Sequence, residues 1–513
     1  MHIVKYAPRK IAIAADSLHT IETGKWIAEQ GGNAADVAVG AAITATLAEV
    51  LMTSFGGSAF FNNMDQHGKL AVIEGADMMP SIPRHKIPKS LEKAYIDYGD
   101  GIEVNTSYQS IAVPGFLKAA ETTWKNFGRL PWEVITAPAI DLAKQGVTAN
   151  RTLEKWLKLA GKAIFFKQEA SRRCFFPKAD TPLKEGDIFT LPGYAETLEQ
   201  IQRGGAKDFY EGDLAHKISS HIISNGGFVR REDLASYQVS IRKPLTLNSM
   251  GYQLSLNPPP AIGGAILGSM ILMANELYRP ELSQSDRHLA IANFQRAALS
   301  IRGGEIKHPL NHMAASSFLQ KDWIKHNYSK LMSPNTAHIS AVDENGAACA
   351  ATMSNGYGSG VTIPGTGIPM NNSLGEPELN PGGFYELIGG SRLASNMSPT
   401  IAWKRDGDII AIGSPGASRI TTALLQGWIG ITFHGLSLQD AVDSPRLHTQ
   451  DRDGTFIAQC EPGIDTRKIA SHYDLEQFNK KDMYFGALSV VRRTPQGNLE
   501  AAADSRRNGV YFV

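Results

Sequence analysis

The chain has 513 residues, which exceeds the usual size of one hydrophobic core and predicts either two domains or one large layered fold. Its hydrophobic content of 42% and charged content of 20% are those of an ordinary soluble globular protein. The formal charge of +1 gives no electrostatic reason to expect nucleic acid or an anionic membrane as a partner.

The cysteines and the N-terminal segment indicate a cytoplasmic protein. Cys174, Cys349 and Cys460 are far apart and odd in number, so we expect neither a metal-binding spacing nor a disulfide framework. The segment Met1–Lys10 contains no apolar core of signal-peptide length, and no later window holds about eighteen apolar residues. We therefore expect a reducing compartment and no membrane-spanning helix.

The first predicted elements are two helices and a strand. Residues 17–30 predict a helix that ends at a glycine pair. Asn33 is expected to cap a second helix over residues 34–49, and the Ala- and Val-rich composition of that helix indicates burial on all sides. A Gly-rich turn at residues 53–58 then leads into a short strand at residues 59–61.

Two later stretches predict helical structure and no catalytic or binding role. Residues 151–184 are dense in Lys and Arg and predict partly helical, surface-facing structure, because a charge run of this kind is usually a solvated face. Residues 286–334 are polar and predict helical structure that leads to the next feature of the chain.

The most informative stretch is a predicted hairpin. Residues 336–343 alternate apolar and polar side chains, an Asn-Gly pair then supplies the positive φ angles of a tight turn, and a second strand ends near Ser354. Pairing across this turn places Thr336 opposite Met353, Ser354 or Asn355, at roughly 4.5–5.5 Å. Two hydroxyls and an amide would then meet at one edge of a sheet. On local pattern alone, an ordinary structural hairpin is the simpler explanation.

The residues of this hairpin resemble the processing site of the gamma-glutamyltranspeptidases, a family of N-terminal-nucleophile hydrolases. The shared pattern is a Thr, a small residue, His, a hydrophobic residue and Ser, followed by a hairpin with Asp and Gly, and it begins here at Thr336. The resemblance covers nearly the whole chain, from about Ala12 to Arg507. Its other matching segments are residues 31–61, 112–116, 128–143, 209–212, 226–234, 258–264, 369–376, 392–400, 413–419, 441–450 and 503–509.

The resemblance implies an α+β fold, a four-layer αββα sandwich with two stacked sheets between helices. It also implies self-cleavage before Thr336, within a processing site formed by Asn335, Thr336 and His338. His338 is expected to support that site or to be a satisfied core histidine. The products would be a large segment, residues 1–335, and a small segment, residues 336–513, which stay associated as one intertwined globule. No metal or organic cofactor is implied, and pairing into a homodimer remains open.

The implied chemistry centres on Thr336. A threonine hydroxyl is a poor nucleophile unless a base lies beside it, and cleavage would supply that base as the α-amino group of Thr336, with a pKa of about 7.7–8.0. By resemblance, Thr336 attacks an amide carbonyl and forms an acyl-enzyme. The backbone N–H groups of Gly416 and Ala417 would form the oxyanion hole, and Ser354 would hydrogen-bond the Thr336 amine or hydroxyl.

The implied substrate contacts are less complete than the acyl-transfer residues. Asn355 and Glu376 would bind a substrate ammonium group, and Ser395 would bind the substrate carboxylate. Ala76 stands where the family carries an Arg that grips this carboxylate, and the nearby Arg84 is the alternative ligand. Three further positions depart from the family's pattern. Asn355 follows Ser354 directly, Glu376 stands in place of an Asp, and Ser395 is the one residue kept from a pair of serines.

Three functions therefore remain open. The first is a self-processing amidase or acyltransferase that acts on small γ-glutamyl amides such as glutathione, with water or an amine as acceptor. The second is an acylase of the same fold that acts on another acyl group, which the departures in the substrate contacts favour. The third is a non-catalytic relative that serves as a binding module, although the retention of Thr336, Ser354 and the Gly416-Ala417 turn argues against it.

Overall fold

The structure is a computed structural model, and it describes residues 6–88, 90–96, 101–178, 180–304, 336–380, 382–452 and 454–513. Asn335 and residues 305–334 lie outside these ranges, so the expectations for them are not addressed by the structure. The helices described here are α1 (Leu18–Glu29), α2 (Ala34–Ala48), α3 (Phe116–Phe127), α4 (Trp132–Gln145), α5 (Arg151–Trp156), α6 (Lys162–Ile164), α7 (Glu169–Phe175), α8 (Tyr194–Glu211), α9 (Asp213–Ser224), α10 (Arg231–Ala235), α11 (Gly263–Leu277), α12 (Gln284–Gly304), α13 (Arg419–Thr432) and α14 (Leu438–Asp443).

The strands also follow the order of the chain. They are β1 (Ile11–Ala15), β2 (Ser58–Met64), β3 (Leu70–Gly75), β4 (Glu92–Ile96), β5 (Ile102–Thr106), β6 (Val147–Thr148), β7 (Ile188–Phe189), β8 (Ser240–Arg242), β9 (Leu245–Ser249), β10 (Tyr252–Leu256), β11 (Thr336–Asp343), β12 (Ala348–Ser354), β13 (Thr362–Ile363), β14 (Ile368–Pro369), β15 (Thr400–Trp403), β16 (Ile409–Gly413), β17 (Leu447–Arg452), β18 (Thr455–Cys460), β19 (Asp474–Gln477), β20 (Ser489–Arg493), β21 (Leu499–Ala503) and β22 (Val510–Phe512). Short 3₁₀ turns connect several of them.

The N-terminal predictions are confirmed. The Asn33 side chain accepts hydrogen bonds from the backbone N–H groups of Ala35 and Asp36, so it caps α2 as expected. The Asp36 carboxylate completes a reciprocal capping box by accepting from the Asn33 backbone N–H. Every residue of α2 is buried, which explains why its sequence shows no polar face.

Two sheets and two helical layers form the αββα sandwich. The seven-stranded sheet has the order β22-β1-β11-β12-β2-β3-β8, and the six-stranded sheet has the order β21-β20-β16-β15-β10-β9. Helices α1–α3 pack on the outer face of the first sheet, and α4 packs on α2. Helices α11 and α13 pack on the outer face of the second sheet, and α12 packs on α11. Small side chains such as Ala12, Ala350 and Ala411 fill the space between the sheets. The predicted fold is therefore confirmed.

Residues on both sides of position 336 contribute to both sheets. In the first sheet, β1 lies between β22 and β11, and β12 lies between β11 and β2. In the second sheet, β9 and β10 precede position 336 and the remaining strands follow it. Separating residues 1–335 from residues 336–513 would therefore unpair strands in both sheets, which gives the expected association a physical basis.

The charge-rich stretch and the cysteines complete the description. Residues 151–184 form the short helices α5–α7, as expected, with exposed charges such as Lys158 on one side and the buried ring of Trp156 on the other. All three cysteines are buried and unpaired. Among the helices that the structure describes, none is long and apolar enough to cross a membrane.

Candidate active site

The predicted hairpin is present, and its open end aligns three hydroxyls. Thr336, the first residue of β11, pairs with Ser354, the last residue of β12. Ser354 also pairs with Ser58, the first residue of β2. Three neighbouring strands thus begin or end at one level of the sheet, about 4.8 Å apart. Thr336 is 4% exposed, so its side chain is shielded from bulk water by the structure around it.

A pocket opens at this edge of the sheet and gathers most of the predicted site residues. The empty space within it, counted together with its open mouth, is about 460 Å³. Five predicted residues line it, namely Thr336, Ser354, Glu376, Ser395 and Ala417. The other lining residues are Ser58, Ala76, Asp77, Ser373, Leu379, Leu393, Ala394, Asn396, Met397 and Ile420. The hairpin therefore opens into a site and is not a bare structural turn.

The Gly416-Ala417 turn has the properties expected of an oxyanion hole. It directly precedes α13, so the aligned helix dipole favours negative charge there. Gly416 has φ +116° and Ala417 has φ +63°. Within the described residues, neither of their N–H groups donates to another protein group. A Cβ on Gly416 would lie 2.9 Å from the Gly486 Cα, which together with its φ requires glycine.

Ala417→Gly is expected to keep kcat within about twofold of the original, because the backbone donor is unchanged. Glycine adopts the left-handed backbone of this position without strain, so the substitution should leave stability unchanged or raise it by about 1 kcal/mol. Steady-state rates and thermal unfolding measure the two effects. A tenfold fall in kcat would contradict a role limited to the backbone, because only the methyl group is removed.

His338 is held as a neutral structural residue. Its Nδ1 lies 2.8 Å from Thr352 Oγ1, and its Nε2 lies 2.9 Å from Ser340 Oγ. The Ser340 hydroxyl donates to the Ser489 carbonyl, so His338 Nε2–H donates to Ser340 and Nδ1 accepts from Thr352. Burial lowers the pKa of His338 to about 3, so the ring is neutral and only weakly basic at neutral pH. Its role in processing stays a prediction.

Gly413→Ala is expected to destabilise the fold, since the new Cβ would lie 2.0–2.3 Å from three ring atoms of His338. Overpacking of this kind costs about 3 kcal/mol at its upper end, and His338 is fully buried, so its ring has little room to move. Thermal unfolding measures the loss. The control is Gly204→Ala on an exposed position of α8, which should change stability little. Equal stability of the two variants would mean that the His338 ring can move to make room for the new methyl group.

A buried ion cluster that the sequence did not reveal supports the backbone of Thr336. Arg507 Nη1 donates to the Thr336 carbonyl oxygen at 2.6 Å and lies 3.7 Å from Asp16 Oδ2. Burial raises the pKa of Asp16 to about 7 against the attraction of Arg507. Burial also raises the pKa of Glu49 well above its usual value, and the nearby charge of Asp16 adds to the rise. The only sequence signal was the Asp-Ser-Arg-Arg run near the C-terminus.

Asp77 is a second site residue that the sequence analysis missed. Its Oδ2 accepts from the Ser373 hydroxyl at 2.6 Å, while its Oδ1 makes no hydrogen bond of ordinary geometry among the described residues, although the Ser58 hydroxyl lies near the Asp77 carboxyl group. Burial raises the pKa of Asp77 to about 8 against the Ser373 hydrogen bond, and Glu376 adds to the rise. The preceding residue, Ala76, presents only a methyl group to the pocket.

The remaining predicted ligands lie in different places. Ser395 lines the pocket, and its hydroxyl accepts from the Met397 backbone N–H at 3.2 Å. Asn355 is fully buried and is not among the described lining residues, so its contact with substrate stays a prediction. Arg84 is exposed on a 3₁₀ turn and is not among the described lining residues, so its role as an alternative carboxylate ligand also stays a prediction.

Comparison with known proteins places this geometry in a family. The sequence matches the gamma-glutamyltranspeptidase family over residues 20–513. It is 27% identical to the glutathione hydrolase proenzyme of Escherichia coli (strain K12), over 96% of this chain and 90% of the relative. It is 26% identical to the acylase ACY 1 proenzyme of Pseudomonas sp. (strain SE83), over 95% of this chain and 90% of that relative. The solved cephalosporin acylase from Bacillus halodurans has the same fold, with TM-score 0.80, 22% identity and coverage of 98% and 96% of the two chains.

Proposed function

The chain belongs to the gamma-glutamyltranspeptidase family of hydrolases and acyltransferases, and on that premise we propose that it is a self-processing amidohydrolase with Thr336 as nucleophile. The observation that carries the proposal is the position of Thr336. It begins a strand, pairs with Ser354 and shares one pocket with Ala417 at the amino end of α13. The residues proposed as nucleophile and hydroxyl partner therefore share one pocket with Ala417, one of the two proposed oxyanion donors.

In the proposed mechanism, cleavage between residues 335 and 336 frees the α-amino group of Thr336. This amine takes the proton from the Thr336 hydroxyl as the oxygen attacks the amide carbonyl. The N–H groups of Gly416 and Ala417 stabilise the oxyanion of the tetrahedral intermediate. The amine then passes its proton to the departing nitrogen, and an ester on Thr336 remains. Water or an acceptor amine attacks this ester and regenerates the enzyme.

The substrate we propose first is a small γ-glutamyl amide such as glutathione, because curated relatives carry the name glutathione hydrolase. A second candidate is the amide of another acyl group. It is favoured by Ala76, and by the lack of any Lys, Arg or His among the described residues that line the pocket. A relative named as an acylase aligns over nearly the same length of this chain. A cytoplasmic location remains part of the proposal.

The proposal is tested by the turnover of γ-glutamyl-p-nitroanilide and of acyl anilides that lack the glutamyl group. Release of nitroaniline that depends on Thr336 supports the amidohydrolase. Preference for an acyl anilide without the glutamyl group selects the second candidate. A protein that stays intact and hydrolyses no amide would contradict both, and would favour a binding module.

A further inference from the structure

Among the described residues that line the pocket, the acidic side chains are two, and both are buried. They are Asp77 and Glu376, which are 4% and 1% exposed. Their charges are close enough that Glu376 raises the pKa of Asp77. The Asp77 Oδ1 atom is buried and makes no hydrogen bond of ordinary geometry among the described residues, although the Ser58 hydroxyl lies near the Asp77 carboxyl group. A buried carboxylate oxygen without a donor is costly, so a donor supplied by a ligand would stabilise the site.

Arg392, whose charge acts on Asp77, does not line the pocket, and two of its three guanidinium nitrogens contact other groups. The Arg392 Nε lies 3.5 Å from Glu74 Oε1, its Nη2 donates to the Gln238 carbonyl, and its guanidinium lies 4.2 Å from the ring centre of Tyr237. The Tyr237 hydroxyl donates to the Ala76 carbonyl, which places Tyr237 and Arg392 behind the pocket wall at Ala76. A carboxylate that enters the pocket thus meets two acids and no lining cation.

We propose that the pocket selects acyl groups that carry an ammonium group and no carboxylate, and that Asp77 and Glu376 bind this ammonium. The simplest such group is 4-aminobutanoyl, which is the γ-glutamyl group without its α-carboxylate. The inference rests on the proposed function, because this acyl group is the one transferred to Thr336. The preferred substrates would then be amides of short ω-amino acids rather than glutathione-like amides.

The strand order fits an acyl chain of this length. Thr336, Ser354 and Ser58 occupy paired positions on three adjacent strands, so Ser58 lies about 10 Å from Thr336. Asp77 contacts Ser58 and therefore lies at the far end of this span. An amine four bonds from the acyl carbon extends about 5 Å, and its hydrogen bond adds about 2.8 Å. Together with its ester bond to Thr336, the 4-aminobutanoyl group covers most of the distance between Thr336 and Asp77.

Four p-nitroanilides separate the two charges of the substrate. The γ-glutamyl group has both charges, 4-aminobutanoyl has the ammonium alone, glutaryl has the carboxylate alone, and butanoyl has neither. We expect kcat/KM to be highest for 4-aminobutanoyl, and to exceed that of γ-glutamyl and of butanoyl by about tenfold or more. Glutaryl should be the poorest. Higher kcat/KM for γ-glutamyl or glutaryl than for 4-aminobutanoyl would overturn the inference and leave the amidohydrolase proposal standing.

Isosteric variants assign the preference to the acids. Asp77→Asn and Glu376→Gln should each raise KM for the 4-aminobutanoyl anilide by about tenfold or more, and should lower kcat/KM for that anilide by at least about tenfold more than kcat/KM for butanoyl. The control is Asp233→Asn, because Asp233 is equally buried at α10 and does not line the pocket. Equal losses on both substrates would assign Asp77 and Glu376 to structure and refute the selection.

The pH dependence of KM is a further readout. Ionised Asp77 attracts the ammonium, and the ionised fraction falls about tenfold per pH unit below a pKa of about 8. KM for the 4-aminobutanoyl anilide should therefore fall as pH rises from about 6 to about 8, while KM for the butanoyl anilide should stay the same over this range. The charges that act on Asp77 are those of Glu376 and Arg392, with the phenols of Tyr210 and Tyr237 nearby. Asp77→Asn should remove the difference between the two substrates.

Binding without chemistry separates this inference from the proposed function. Calorimetric titration of the wild-type protein with butylammonium chloride should show binding that Asp77→Asn weakens, and sodium pentanoate should not bind. This result without turnover of any anilide would uphold the ammonium site and refute the amidohydrolase. Binding of pentanoate alone, or of neither ion, would overturn the ammonium site.

Discussion

Replacing Thr336 with alanine is expected to abolish both chain cleavage and amide hydrolysis. The substitution removes the hydroxyl that attacks in both reactions, while the strand pairing with Ser354 is retained because it uses backbone groups. Loss of a nucleophile costs about a millionfold in rate in a well-studied hydrolase, so the residual rate should be undetectable. A denaturing gel and the hydrolysis of γ-glutamyl and 4-aminobutanoyl anilides measure the two losses.

Two further variants make this result specific. Thr336→Ser should retain cleavage and turnover in weakened form, because only the hydroxyl is indispensable. Thr246→Ala removes a threonine from an exposed position on β9 and should behave as the unmodified protein. A Thr336→Ala protein that still processes and still hydrolyses amides would refute the mechanism.

Replacing Arg507 with methionine is expected to give the second-largest effect, on stability and activity together. The substitution removes the donor to the Thr336 carbonyl and the positive charge beside Asp16. Removal of one partner from a buried ion pair costs about 3–5 kcal/mol. A nucleophile displaced by about 1 Å can lose about a hundredfold in rate. Thermal unfolding and kcat on the preferred anilide measure the two effects.

The loss of stability should depend on pH with a definite sign. The pKa of Asp16 in the folded protein is about 7, which is above its ordinary value of 3.8, so the folded state binds more protons between these values. Stability from this group therefore falls as pH rises from about 4 to about 7. Arg507→Met should raise the pKa further, so the variant should lose less stability at pH 5 than at pH 8, relative to the unmodified protein.

A double variant separates packing from positioning. Arg507→Met combined with Asp16→Asn removes both charges and should recover most of the lost stability, because replacing a whole buried pair is often neutral. It should not recover kcat, because the Thr336 carbonyl still lacks its donor. Recovery of kcat together with stability would show that Arg507 acts on the fold alone.

Features set by local sequence were predictable. The Asn-Gly turn and the alternation along residues 336–343 predict the hairpin and limit the partner of Thr336 to Met353, Ser354 or Asn355, and the structure has Ser354 there. The capping residue Asn33 and the burial of the Ala- and Val-rich α2 were equally clear. The stacking of two sheets between helices followed from the family resemblance, because no short pattern in the chain specifies which strands become neighbours.

Features set by distant pairing were not predictable. Arg507 reaches Thr336 because β1 lies between β22 and β11, which brings the C-terminus beside the hairpin. Asp77 follows Ala76, yet its role depends on Ser373 from a remote loop. Arg84 was a plausible carboxylate ligand by proximity in sequence, and the structure places it on an exposed surface turn after the chain has left the sheet.

The most direct test of the account is the N-terminal sequence of the smaller fragment that purified protein shows on a denaturing gel. A fragment that begins Thr-Ala-His-Ile-Ser, and that Thr336→Ala does not yield, is the predicted result, because it places a free amine on the proposed nucleophile. An intact chain that remains catalytically active, or a fragment that begins at another residue, would contradict the assignment of Thr336.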